Sequence, residues 1–353
     1  MTWSLRIARI AGTDVKVHVT FLLLLGFFWF SGGPAAGLLL LALFGCVLLH
    51  EFGHIGMAAR FGVRTPDVIL LPIGGLARLE RMPEEPKQEL LIAIAGPVVT
   101  LVIAAAFYAW LAIDGTPPPL LPSLRVDPGG FIETLYRINV LLLLFNLLPA
   151  FPLDGGRVLR AILSARLGLV RGTRIAASVG QMLAFAIGFY AIMNGELLLL
   201  LIAFFIFTGA GGEAAAVETR IAGRGLAVRD MMVTDFRTLP IHATLADAAE
   251  LLVAGEQREF PVVDNLGGVE GLLTRDDLVR GLAARGAGGM ARDAMSSGLV
   301  HLAPDLTFDE AVQRLRASRL PALPVVDGGR LIGLVTLDNI TDLLLIRRAV
   351  GKT

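Results

Sequence analysis

"AAGLLLLALFGCVLLHEFGHIGMAA", residues 35–59, is apolar and long enough to cross a bilayer, yet it carries two imidazoles and a carboxylate. A hydrocarbon core needs about 20 consecutive apolar residues in a helix to span it. Ionisable groups inside such runs are rare and usually functional, so His50, Glu51 and His54 bear on what the chain does as well as on how it folds. Composition agrees with a membrane-embedded chain: of 353 residues, 55% are hydrophobic and 18% charged, and the mean hydropathy is +0.70. This is too apolar for an ordinary soluble protein. A net charge of +0 and a pI near 7.0 give no basic field to recruit nucleic acid. The single cysteine, Cys46, lies in the apolar run, which excludes an internal disulfide and reads as a small buried hydrophobe.

Apolar stretches fall near residues 17–31, 35–59, 89–113, 132–149, 174–193 and 196–212, which predicts about six transmembrane helices. The stretch before the first, "SLRIARIAGTDVKV" at 4–17, alternates like a strand and lacks a cleavage site, so the first apolar run reads as a retained helix. Basic residues set the orientation. With a cytoplasmic N-terminus, that side receives Arg6, Arg9 and Lys16, then Arg60, Arg64, Arg78, Arg81 and Lys87, then Arg157, Arg160, Arg166, Arg171 and Arg174. The other side holds little more than Arg125, with Arg137 inside a span. The expectation is a multi-pass protein of the cell membrane, α-helical over 1–215, with a linker at 216–227 and a cytoplasmic α/β region at 228–346.

That last region is internally duplicated. The segment 228–282 matches 291–345: Pro261 aligns with Pro324, Thr274 with Thr336, and each copy reads helix, "FPVVD" or "LPVVD", a glycine turn, "GLLT" or "GLVT", helix. The duplication resembles a tandem pair of cystathionine-beta-synthase (CBS) domains. Such pairs commonly bind adenine nucleotides through a GhhTxxD element. The resemblance therefore implies a ligand at Thr274 and Asp277 in the first copy, and at Thr336 and Asn339 in the second, where the carboxylate is lost. It also implies a homodimer through the pair. A structural alternative is that Thr274 and Thr336 cap the helices that follow them.

In the opening run, positions i and i+4 of a helix share a face, so His50 and His54 can both aim nitrogen lone pairs at one ion, with Glu51 beside them. This is the HExxH arrangement of zinc hydrolases, two histidine ligands and a glutamate general base. Catalytic zinc sites usually take three protein ligands. The best third candidate is Asp154 in "NLLPAFPLDGGR", 146–157, where Pro149, Pro152, Gly155 and Gly156 predict irregular chain at membrane depth. Such chain is tolerated only against a cavity or protein interior.

Together these motifs resemble the site-2 protease family of intramembrane zinc metalloproteases, over roughly residues 1–215. The resemblance implies one Zn2+ per chain on His50, His54 and Asp154, Glu51 as catalytic base and Asn146 as the group that positions the scissile carbonyl. It implies a transmembrane-helix protein in the lipid bilayer as substrate, such as an anti-sigma or pro-sigma factor, and the branch of the family with CBS domains. "AGPVVT" at 95–100 resembles a further family element, with Thr100 where asparagine often stands, a change expected to touch a secondary substrate or packing contact. "LLPIGGLARLE" at 70–80 resembles the family's hairpin, whose edge could pair with an unwinding substrate. His18, His242 and His301 have no ligand spacing around them, and Trp3, Trp29 and Trp110 fit interfacial anchoring. The alternative from another class is a CBS-gated transporter or channel, which accounts for the architecture and leaves HEFGH with Asp154 without a role.

Overall fold

The computed structural model describes residues 3–72, 74–80, 85–121 and 130–350. Arg81 and Arg125, used above for orientation, and Ile73 of the 70–80 hairpin lie outside them. The chain divides into two compact units, Met1–Val217 and Glu218–Thr353.

The first unit opens with the alternating stretch as a hairpin, β1 (Ser4–Ile10) and β2 (Thr13–His18). Charged residues lie on one face, and Val15 and Val17 on the other are buried. His18 ends the strand and caps α1 (Val19–Arg60), its ring nitrogen accepting from the Thr20 N–H at 3.3 Å. A 42-residue helix would run about 63 Å, twice the roughly 30 Å hydrocarbon thickness. It does not run straight: Gly33 sits at φ 79°, ψ 176° directly before Pro34. Proline has no N–H and crowds the residue before it out of helical geometry, so the first two apolar runs are two helical segments about this break. Next come β3 (Asp67–Leu71) and β4 (Gly74–Arg78), which complete a sheet of order β1-β2-β3-β4. Val15, Val68 and Ile55 pack this sheet onto α1.

The bundle continues with α2 (Pro86–Ile113), α3 (Phe131–Asn146), α4 (Asp154–Leu167), α5 (Leu169–Asn194) and α6 (Leu197–Ala222). Among the described residues, α1, α2, α5 and α6 are long and apolar enough to cross a membrane. Only 17% to 33% of their most apolar windows is buried within the protein, and Phe30, Phe185 and Phe204 point outward. A surface this apolar suits a lipid environment rather than water. The fourth expected run, 132–149, is a shorter helix of 16 residues that stops at Asn146, because the prolines at 149 and 152 forbid its continuation. The following helix, α4, was not apparent in the sequence; its mean character is not apolar and two glycines open it.

In the second unit, α6 passes through residues assigned to a linker and ends at Ala222. Two α/β copies follow. The first comprises α7 (Val228–Met231), β5 (Leu239–Pro240), α8 (Leu245–Ala254), β6 (Glu259–Val263), β7 (Val269–Thr274) and α9 (Arg275–Arg285). The second has β8 (Ser296–Ser297), α10 (Phe308–Ser318), β9 (Ala322–Asp327), β10 (Arg330–Thr336) and α11 (Leu337–Ala349). Thr244, Thr274 and Thr307 each accept from the N–H three residues on, caps that contribute about 1 kcal/mol apiece. Phe260, Leu273 and Leu278 form the core of one copy, and Leu323, Val335 and Phe308 that of the other.

Candidate metal centre

The two histidines are one helical turn apart on α1, and Asp154 is the first residue of α4. All three are buried, at 5%, 7% and 8% exposure. Their ligating atoms meet. His50 Nε2 lies 3.1 Å from His54 Nε2, and Asp154 Oδ2 lies 3.2 Å and 3.3 Å from those nitrogens. Each imidazole is oriented by its other nitrogen. His54 Nδ1–H donates to the Ile92 carbonyl at 2.7 Å. His50 Nδ1–H donates to Thr100 Oγ1 at 2.8 Å, whose own proton points to the Gly96 carbonyl at 3.4 Å. Both Nε2 atoms therefore present lone pairs toward a carboxylate oxygen. Three electron-rich atoms held face to face repel one another unless a cation lies among them. A tetrahedral ion with bonds of ~2.0 Å sets its ligand atoms roughly 3.3 Å apart, so the donor set fits a zinc ion in identity and in spacing.

The irregular chain expected within 146–157 is confined to 147–153, with Gly155 and Gly156 already in the first turn of α4, and it positions Asp154. It doubles back so closely on α4 that a Cβ at Gly155 would stand 2.2 Å from the Leu148 carbonyl oxygen. The glycine pair thus lets α4 start beneath the loop. Gly96 plays the same part for α2: a Cβ there would lie 2.2 Å from His54 Nε2 and 2.7 Å from His50 Nε2. Glu51 is half-buried and packs on β4, where a Cβ at Gly75 would lie 2.6 Å from its Cγ. Asn146 ends α3, half-buried, its amide without a hydrogen bond among the described residues.

The sequence profile of Peptidase family M50 matches residues 38–119 and 122–187, and that of the CBS domain matches 228–284 and 291–346. A zinc metalloprotease of Methanocaldococcus jannaschii is 30% identical over 348 residues, spanning 96% of this chain and 96% of its own. The chain belongs to peptidase family M50, the site-2 proteases. A solved site-2 protease from the same organism is 35% identical and covers 60% of this chain and 95% of its own, with a TM-score of 0.46. The CBS domain-containing protein YhcV of Bacillus subtilis is 30% identical over 115 residues, 32% of this chain and 81% of its own. This M50 chain is thus a zinc metalloprotease whose family cleaves membrane proteins, followed by two CBS domains. The transporter alternative finds no support among these relatives.

Thr100, in the family element at 95–100 expected to touch a secondary substrate or packing contact, is 1% exposed and hydrogen-bonds the His50 ring, fixing its orientation. Its position on α2 opposite His50 is a tertiary fact, and no local signal marks it. Thr100→Val is expected to weaken zinc binding by about 10- to 100-fold, the usual cost of losing a partner of a ligating histidine, with Thr100→Ser close to wild type. Competition against a chelating dye measures this, and equal affinity in all three proteins would refute it.

In the CBS pair the two copies differ. Thr274 Oγ1 donates to Asp277 Oδ2 at 2.7 Å, and Arg280 donates to Asp277 Oδ1 at 2.6 Å. These residues line a cleft of about 650 Å³ with Arg258, Arg316 and Arg319. Glu259, in the same cleft, is raised above the ordinary carboxylate range by burial and then by Asp338, against the opposing pull of Arg258. In the second copy Thr336 caps its helix, accepting from the Asn339 N–H at 3.0 Å, while the Asn339 side chain donates to the Met231 carbonyl at 2.6 Å. That amide is committed to tying the second copy to α7, at the start of the first.

Proposed function

We propose that this protein is an intramembrane endopeptidase in which His50, His54 and Asp154 hold one zinc ion, Glu51 is the general base and Asn146 aligns the scissile carbonyl. The observation that carries the assignment is the meeting of three buried donor atoms from α1 and α4 within 3.3 Å of one another. Zinc bound there supplies a Lewis acid that polarises the carbonyl and brings the pKa of a water toward neutrality. Glu51 accepts the proton of the attacking water and returns it to the departing amine. The free Asn146 amide can donate to the carbonyl oxygen as charge develops on it. A peptide bond in a helix is shielded by its own hydrogen bonds, so the substrate must be drawn out locally. β4 ends the sheet order and presses on Glu51 through Gly75, so an extended segment added to its edge would lie beside the base.

Six spans, with the break at Gly33 dividing α1 and α3 counted as a short span, would place the N-terminus and the CBS pair on the cytoplasmic side, as the basic residues favour. The substrate class is a single-span or hairpin membrane protein, of which anti-sigma and pro-sigma factors are examples. The arginine-lined cleft at Thr274 and Asp277 suits an adenine nucleotide, Thr336 and Asn339 form the weaker half, and the pair suits a homodimer contact. One experiment tests these readings: cleavage of a co-reconstituted single-span substrate in inverted membrane vesicles. Chelation is expected to stop cleavage and zinc to restore it, and externally added AMP to change the rate. Cleavage indifferent to chelation would refute the catalytic reading, and indifference to AMP the nucleotide and sidedness readings.

A further inference from the structure

Arg160 is 3% exposed, a guanidinium buried in the bundle six residues after Asp154 on the same helix. Its Nε and Nη2 donate to Glu89 Oε1 at 2.6 Å and 2.5 Å. Its Nη1 donates to Glu213, and its Cζ lies 5.0 Å from the centroid of the Phe151 ring. The partners sit on elements that matter to the metal centre. Glu89 is on α2, one turn before Ile92, the residue whose carbonyl orients His54. Glu213 is on α6, one turn before the Val217–Glu218 boundary that the helix crosses. The fork therefore joins the helix that supplies Asp154, the helix that fixes His54 and the helix that leads to the second unit.

A buried arginine needs one carboxylate for neutrality, and Glu89, itself 7% exposed, provides it. Glu213 is a second carboxylate with its side chain 30% exposed. Charge balance does not require it, so its place in the fork has to be explained by where it holds α4. We infer that Arg160 is a positioning residue for the metal centre: clamped between Glu89 and Glu213, it sets where α4 presents Asp154 to the two histidines. This rests on the zinc assignment proposed above.

Zinc affinity of the full-length protein in detergent, by chelator competition alongside a thermal melt, tests it without reference to proteolysis. Glu213→Ala is expected to weaken zinc about tenfold with little change in melting, since the Arg160–Glu89 pair stays neutral. Glu213→Gln, which still accepts from Nη1, is expected to recover affinity to within about threefold of wild type. Arg160→Lys keeps the charge and loses the planar fork, and is expected to weaken zinc at least as much as Glu213→Ala. Leu111→Ala removes packing at the far end of α2, so it is expected to lower the melt and leave zinc affinity intact. Unchanged affinity in Glu213→Ala and Arg160→Lys would overturn the inference, as would an equal loss in Leu111→Ala, which would make the effect one of general stability. A wild-type protein that binds no zinc would instead overturn the metal assignment, and the inference with it.

Discussion

Gly96→Ala is expected to empty the metal centre. The added methyl would stand 2.2 Å from His54 Nε2 and 2.7 Å from His50 Nε2, the first close to the ~2.0–2.1 Å at which a zinc ion itself sits from imidazole nitrogen. It would compete for the place of the ion. Relief is not cheap on either side. Both histidines are tied by their other nitrogens to Ile92 and Thr100, and α1 and α2 already touch so closely that a Cβ at Gly53 would reach the Ala95 carbonyl at 2.7 Å. Zinc affinity should fall by about 10³-fold or more, a loss of at least ~4 kcal/mol, with cleavage lost in parallel. Gly56→Ala, on the helix that carries both histidines but with nothing within 4 Å of its Cβ position, should retain one zinc per chain. Metal analysis of the two purified variants decides the matter; equimolar zinc in Gly96→Ala would mean that the ion sits elsewhere.

The three donors that the fold brings together, His50, His54 and Asp154, were legible because their signals are either local or chemically extreme. HEFGH places two imidazoles on one helix face by periodicity alone, and ionisable groups in an apolar run have few structural reasons to be there. Asp154 was legible by contrast, a carboxylate just past two prolines that end a span. The extended character of 4–17 and the duplication at 228–346 could be read for the same reason, since alternation and repetition are properties of the string; that the first stretch folds as two strands rather than one shows only in the structure. What escaped were properties of the packing between elements. The amphipathic helix α4 is too polar on average to stand out among apolar spans, although Leu159 and Leu163 recur at helical spacing on the face it packs against its neighbours. Thr100 and Ile92 act on histidines 50 and 38 positions away. Arg160 looked like one of a row of cytoplasmic arginines, and only its partners, 71 and 53 residues distant, separate it from the others. Asn339 differs again: the sequence marked the missing carboxylate, and the structure gives the amide another occupation at Met231.

Glu51→Gln is expected to separate metal binding from catalysis. The substitution keeps the length and shape of the side chain, so the contact with β4 at Gly75 and the three donor atoms of the metal centre are undisturbed, and zinc should be retained at one per chain. What changes is basicity. A carboxylate can take a proton from the attacking water and deliver it to the amine, whereas a primary amide can do neither at neutral pH. General acid–base groups of this kind are worth about 10²- to 10⁴-fold in rate, so turnover of a single-span substrate should fall by that factor while substrate association is preserved. The inactive variant should therefore accumulate uncut membrane substrate as a stable complex, which can be captured and identified by mass spectrometry. Zinc-loaded Glu51→Gln that cleaves at the wild-type rate would remove Glu51 from the chemistry. The base would then have to be another group close to the ion, and among the described residues Asp154, His50 and His54 are already committed to holding it.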